Sequence, residues 1–301
     1  MAAYPPVTPA NGANFTQIIH KHTYPFIDSR SKANHAGRAV FVSGGSRGIG
    51  KAIAISFAQA GASFIGLGCP DGFGDPPVNV EIENAARQCG RPAPTVLLLH
   101  LDVTDSASVA AAAARMQESS SRLDVLVNNA GFMTQALPIV GAGNDSWWKT
   151  FEVNLRGIFL MCKYFTPLLH GTTDGLKTLV NVNSVASLNL RPEASAYGTS
   201  KFAVLKFTEF LLVEQRKQGL LAFSVHPGGV MTQLAEAMPK ETHPTFTDSP
   251  SLAGDTIAFL TCERREWLAG RYLSCTWDME ELFARRKEIE EGDKLKVRLV
   301  M

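Results

Sequence analysis

Short runs of β-forming residues alternate with helix-length stretches from about residue 39 to residue 274, and this alternation constrains the fold most. The apolar runs are Ala39–Ser43, Ala62–Leu67, Thr95–Leu101, Leu123–Val127, Leu176–Asn183, Leu220–His226 and Arg271–Ser274. Between them lie helical patterns at about Gly48–Ala60, through Gln88, Ser106–Glu118, Ser146–Leu169, Ser195–Gln218 and Leu252–Cys262. Strands that are apolar throughout, separated by helices of this length, predict βαβ units. Such units build a parallel sheet covered on both faces, a doubly wound α/β fold. No internal repeat or second domain is visible. The expected organisation is an N-terminal arm over 1–36, laid on the surface or partly disordered, one α/β domain over 37–275, and a helical tail over 276–301.

Composition removes several classes of function. Lys+Arg number 29 against 28 for Asp+Glu, so no basic surplus exists to neutralise a nucleic-acid backbone. The five cysteines, Cys69, Cys89, Cys162, Cys262 and Cys275, form no CxxC pair, which argues against a disulfide framework or a metal site. The N-terminus has neither a positive n-region nor an apolar h-region, and no apolar run reaches the roughly 18 residues of a membrane span. A cytoplasmic protein with a small-molecule substrate is the expectation.

A glycine-rich turn follows the first apolar run: Ser43-Gly-Gly-Ser-Arg-Gly-Ile-Gly50. At a strand-to-helix junction, such a turn brings the backbone close to a pyrophosphate and offers it the helix N-terminus. A tight turn with no ligand would look the same. An acidic residue about 20 positions on would hold the ribose 2′-hydroxyl of NAD. That place reads Leu67-Gly-Cys-Pro70, without a carboxylate, while Arg47 sits in the turn where its guanidinium suits a 2′-phosphate. NADP(H) is therefore favoured over NAD(H); Asp71 is the residue that could overturn this, if the loop folds back.

Tyr197 and Lys201 lie four residues apart on a predicted helix, hence on one face. A nearby ammonium, together with the positive ring of an oxidised nicotinamide, would lower the phenol pKa and fit Tyr197 for proton transfer. Ser184 closes a strand-terminal run 13 residues earlier, where its hydroxyl can steady charge on a substrate oxygen.

Together these residues make the chain resemble the short-chain dehydrogenases/reductases over about 37–275. The resemblance rests on the glycine turn, Asp102-Val-Thr, Asn128-Asn-Ala-Gly131, Asn154 within Val-Asn-Leu, Ser184, Tyr197-x-x-x-Lys201 and Pro227-Gly-Gly-Val-Met-Thr232. It implies a Rossmann fold and a hydride transfer between nicotinamide and a ketone or secondary alcohol, with Ser184, Tyr197, Lys201 and Asn154 as the catalytic set. It assigns Gly44, Ser46, Arg47, Gly48, Ile49 and Gly50 to the cofactor's phosphates, and Asp102 and Val103 to the adenine. Asn129, Ala130 and Gly131 would line the cofactor groove. Asn154 would hold a water that relays protons to Lys201, which also takes the nicotinamide ribose. Pro227, Gly228, Val230 and Thr232 would face the nicotinamide.

Ser43 stands where the family usually has threonine, and Gly68-Cys69 replaces its usual cofactor-sorting pair. The flanks, His22-Thr-Tyr-Pro and Gly270-Arg-Tyr-Leu-Ser…Trp277-Asp, resemble fungal members attached to secondary metabolism. Phe132–Ala142, Ala186–Arg191 and Gln233–Pro250 are expected to meet a rather apolar, polyketide-like substrate. The helix after Lys201 is apolar nearly all round, so a second subunit could cover the side that the sheet does not; the resemblance implies a homodimer or homotetramer. Redox-neutral chemistry on the same scaffold and non-catalytic nucleotide sensing remain alternatives.

Overall fold

The structure is a computed structural model that describes residues 12–75 and 77–299. Its centre is one seven-stranded parallel sheet in the order β3-β2-β1-β4-β5-β6-β7. The strands are β1 (Ala39–Ser43), β2 (Phe64–Cys69), β3 (Thr95–His100), β4 (Val125–Asn128), β5 (Thr178–Val182), β6 (Leu221–His226) and β7 (Tyr272–Ser274). The chain order reverses between β1 and β4, which pair directly from Val40↔Val125 to Ser43↔Asn128.

The two-residue period of a strand divides its side chains between two cores. Val40, Val42, Val125 and Val127 join one cluster with Ile53 and Phe57 of α2 (Gly48–Gln59), Ile82 of α3 (Val78–Gln88) and Ile257 of α8 (Pro250–Thr261). Phe41, Leu126 and Leu179 join the other. Its helical side chains include Met116 of α4 (Ser106–Ser119), Phe165 of α6 (Gly157–Gly171) and Val204 of α7 (Ser195–Gln215). The doubly wound α/β domain expected from the alternation is thus present. Among the described residues, no helix is long and apolar enough to cross a membrane.

Three segments differ from the sequence expectations. The helix expected over about 146–169 is instead α5 (Asn144–Phe151), a π-helical turn over Glu152–Arg156, and α6. The wider turn inserts one extra residue into the ladder and so rotates everything after it.

The arm is tied into the body along residues 12–36, while residues 1–11 lie outside the described residues. It contains a short helix, α1 (Ser29–Lys32), and Ile27, Ser29 and His35 are fully buried. Its backbone bridges to the far end of the chain through His20 N–H to the Thr276 carbonyl (2.7 Å), and Trp277 Nε1 donates to the Gly12 carbonyl (2.9 Å).

The tail forms two short helices, α9 (Met279–Ala284) and α10 (Arg286–Glu291). Asp278 caps the first by accepting from Glu281 N–H at 2.7 Å. Met279, Leu282 and Ile289 face the core with no exposed surface, so the charged residues occupy only the outer side.

Candidate active site

The residues singled out from the sequence gather along the carboxyl edge of the sheet, where loops leave β1, β3, β4, β5 and β6. At β1 the glycine turn leads directly into α2. Arg47 occupies the N-cap position but makes no side-chain cap hydrogen bond, so the first-turn N–H groups of α2 have no side-chain acceptor. That is the donor set an anionic pyrophosphate needs. Gly50 is required by close approach: a Cβ there would lie 2.1 Å from the Gly44 carbonyl oxygen.

The turn is fastened to β4. The Ser43 hydroxyl accepts the amides of Asn129 and Ala130, each at 3.1 Å. Asn129 Nδ2 donates to the carbonyls of Ser43 and Gly44, each at 3.0 Å. Gly131 follows this turn, and a Cβ there would meet Asn154 Oδ1 and the Leu234 side chain, each at 3.6 Å. After β3, Asp102 accepts both the amide and the hydroxyl of Thr104 at 2.8 Å, and Val103 is buried against Gly157. After β6, the Thr232 side chain lies beside Gly48, where a Cβ would meet its methyl group at 3.3 Å.

Arg47 Nη2 lies 3.3 Å from Asp71 Oδ2, so the loop after β2 does fold back toward the glycine turn. Both side chains are more than half exposed, and such a pair is worth little.

The groups that the sequence offers for proton transfer follow β5 or lie on α7. Asn183 orients both elements: its Oδ1 accepts the Ser184 amide at 2.7 Å, and its Nδ2 donates to the Lys201 carbonyl at 3.0 Å. Ser184 in turn caps a 3₁₀ turn over Val185–Ser187 by accepting from Ala186 N–H at 3.1 Å.

Lys201 is 3% exposed; its Nζ donates to the Val182 carbonyl at 2.9 Å and lies 5.8 Å from the centre of the Tyr197 ring. Burial lowers the Lys201 pKa to about 8. Burial pushes the Tyr197 phenol up to about 12, and a hydrogen bond with the Ser184 side chain opposes the rise. The sequence argument expected two charges to lower this pKa, the Lys201 ammonium and an oxidised nicotinamide ring. Of these the chain itself supplies only the ammonium, which bonds a backbone carbonyl rather than the phenol, so desolvation is the larger effect.

Asn154 lies in the π-turn and is fully buried. Its Oδ1 accepts the Phe132 amide at 2.8 Å, and its Nδ2 donates to the Phe132 carbonyl at 2.9 Å and to Ser200 Oγ at 3.1 Å. Ser200 Oγ donates to the Tyr197 carbonyl at 2.8 Å. Both Asn154 amide hydrogens are therefore engaged. Sequence reasoning missed Ser200 and Asn183. Ser200 stands three residues after Tyr197, on the same helical face, and that spacing was the available signal.

A family model described as short chain dehydrogenase matches residues 38–243. Short chain dehydrogenase citE of Monascus ruber is 48% identical over 301 residues, covering 99% of this chain and 100% of its own. Short chain dehydrogenase pigC of the same fungus is 42% identical over 288 residues, covering 95% and 93%. The chain belongs to the short-chain dehydrogenase family.

Fungal relatives are what the flanking residues suggested. Solved structures share the short-chain dehydrogenase fold at lower identity. A short chain dehydrogenase from Shigella flexneri complexed with NADP superposes with a TM-score of 0.68 at 24% identity, covering 81% of this chain and 99% of its own. NADH-dependent reductase A1-R′ complexed with NAD gives 0.66 at 20%, covering 80% and 96%. Members of this family use nicotinamide cofactors, and the two complexes carry different ones.

Proposed function

We propose that this short-chain dehydrogenase is an NADP(H)-dependent reductase of ketones, reversible toward secondary alcohols, in which Tyr197 exchanges the proton. The observation that carries the reading is the convergence of a buried Lys201, the Tyr197 phenol and the Ser184 hydroxyl. They meet at the sheet edge where the uncapped α2 N-terminus also opens.

The nicotinamide, when bound, supplies or takes the hydride. Tyr197, holding its proton at neutral pH, donates it to the alkoxide oxygen formed in reduction. Ser184 hydrogen-bonds that same oxygen and steadies its charge. Lys201 keeps a positive charge beneath the phenol and orients the cofactor's ribose. Because the Asn154 amide hydrogens are engaged, a relay water would meet its Oδ1 or main chain rather than its Nδ2.

Preference for NADP(H) rests on Arg47 and on the absence of a carboxylate at Gly68-Cys69-Pro70. A 2′-phosphate, carrying more charge than Asp71, would displace the exposed Arg47–Asp71 pair.

A rather apolar, polyketide-like substrate is supported by the segments expected to meet it, in which Ile139, Val140 and Leu190 are exposed. Exposed Phe202, Phe210 and Val213 on α7 support a homodimer or homotetramer through that helix. Five free cysteines fit a reducing cytoplasm.

The test is Tyr197→Phe, assayed by NADPH oxidation at 340 nm against a panel of aromatic and polyketide ketones, with NADH in parallel. Turnover is expected to fall at least about 100-fold with NADPH affinity retained. Full turnover in this variant, or product formed without a change at 340 nm, overturns the proposal.

A further inference from the structure

The segment after β6 is held by a residue that no catalytic assignment includes. Asp248 Oδ2 accepts the Gly229 amide at 2.6 Å, and Asp248 N–H donates back to the Gly229 carbonyl at 2.9 Å. These two hydrogen bonds close the base of the 18-residue loop 230–247, so the loop's two ends are joined whatever its middle does. The contact is tight on its other side as well. Gly228 has φ +98°, and a Cβ there would lie 2.8 Å from Asp248 Oδ2. The carboxylate therefore packs directly against the Pro227-Gly-Gly backbone.

Asp248 is itself anchored. The next residue, Ser249, donates its amide to the Lys21 carbonyl of the arm at 2.7 Å and caps α8. Helix α8 packs across α2 at very short range: a Cβ on Gly254 would lie 2.6 Å from the Ala52 carbonyl oxygen. Asp255 ties the two helices and the arm together, accepting Ser56 Oγ at 2.7 Å and Thr23 Oγ1 at 2.5 Å. A continuous connection thus runs from α2, whose N-terminus faces the phosphate turn, through α8 and Asp248, to Gly228 and Gly229.

We propose that Asp248 is a positioning residue that sets the Pro227–Gly229 segment at a fixed distance from the glycine turn, and so aligns the nicotinamide half of the cofactor with Tyr197. This rests on the cofactor groove proposed above. Asp248 touches neither substrate nor reacting atoms; it acts through the Gly229 amide. The arm shares the task through Lys21, which gives residues outside the matched family region a role in the site.

The proposal separates two halves of one ligand, and ligands can be chosen to match. NADPH spans the whole groove, whereas 2′,5′-ADP occupies only the adenine–phosphate half; NADH and ADP form the equivalent pair without the 2′-phosphate. Dissociation constants of all four are measured for the full chain and for Asp248→Ala and Asp248→Asn. Losing one charge-assisted hydrogen bond predicts about a tenfold weaker NADPH in Asp248→Ala, with 2′,5′-ADP changed less than about twofold. Asp248→Asn keeps the shape and a carbonyl acceptor, so NADPH should stay within about threefold of the parent.

Unchanged NADPH binding in Asp248→Ala overturns the assignment. Equal loss of both ligands in both variants also overturns it, because that is the mark of general destabilisation. A parent chain that binds NADH and ADP instead moves the same comparison to that pair. A parent that binds none of the four refutes the groove itself.

Discussion

Replacing Ser43 by alanine isolates the fastening between the glycine turn and β4. The Ser43 hydroxyl is 1% exposed and is the acceptor for two amides, Asn129 N–H and Ala130 N–H, each at 3.1 Å. Alanine removes the acceptor and leaves both donors facing a small apolar group. An unsatisfied buried amide costs about 1–3 kcal/mol. Asn129 and Ala130 are only partly buried, which places each near the lower end, so the pair should cost roughly 2–3 kcal/mol. Ser43→Thr, which restores the residue usual in the family, keeps the oxygen and suits a strand position, so it should stay within about 1 kcal/mol of the parent. Urea unfolding followed by tryptophan fluorescence measures both. With an m of about 3 kcal/mol/M, the Ser43→Ala midpoint should fall by roughly 0.8 M. A fall smaller than about 0.2 M would mean that water replaces the hydroxyl without penalty, and the argument for Ser43 as the clasp of the turn would fail.

Three other outcomes follow from the geometry. His35 is fully buried, donates from Nε2 to the Ala258 carbonyl (2.9 Å), and has its pKa lowered by burial from 6.5 to about 4. The folded chain thus refuses a proton that the unfolded chain accepts. This contribution is intact above pH 6.5 and lost as pH falls to about 4, a change of roughly 3 kcal/mol; a His35→Gln variant should lose less stability over that window in pH-dependent unfolding. Arg47→Ala should weaken NADPH about tenfold or more and leave NADH unchanged, while Asp71→Ala should tighten NADPH; titration by fluorescence that finds the reverse would favour NAD(H). Light scattering should find a dimer or tetramer at micromolar concentration and a monomer for Phe210→Asp, since Phe210 is 55% exposed on α7, where Phe202 and Val213 are exposed as well.

Local rules carried the sequence reading far, and their failures have physical causes. β1, α2, β3 and β6 lie within two residues of their expected limits because apolar periodicity is a property of short windows. The Tyr197–Lys201 spacing and the glycine turn are likewise short-range patterns. The π-turn at Asn154 changes helical pitch without changing hydrophobic spacing enough to be seen. The burial of the arm depends on partners such as Trp277, 265 positions from Gly12, and no window spans that distance. The Asp248–Gly229 pair is separated by 19 positions of irregular chain. The desolvation that raises the Tyr197 phenol is not legible for a related reason: spacing along a helix reports which groups are near, not how much water has been removed from around them.

That shift bears on the direction of catalysis. A phenol near 12 is ionised in roughly one molecule in 10⁵ at pH 7, whereas an amine near 8 is still protonated in about nine of ten. Lys201 therefore retains its charge, and Tyr197 its proton. In the reaction proposed above, Tyr197 in this state would be a donor, suited to protonating the oxygen of a carbonyl as it is reduced, and a poor base. For Tyr197 to accept a proton from an alcohol, its environment must gain positive charge, and the groups described here offer only Lys201, already present and bonded elsewhere. An oxidised nicotinamide would bring one further positive charge and a reduced one would not. The same burial that raises the phenol then makes its proton affinity follow the redox state of whatever occupies the groove. Low dielectric around Tyr197 strengthens that response, because a charge brought near it is screened by little water.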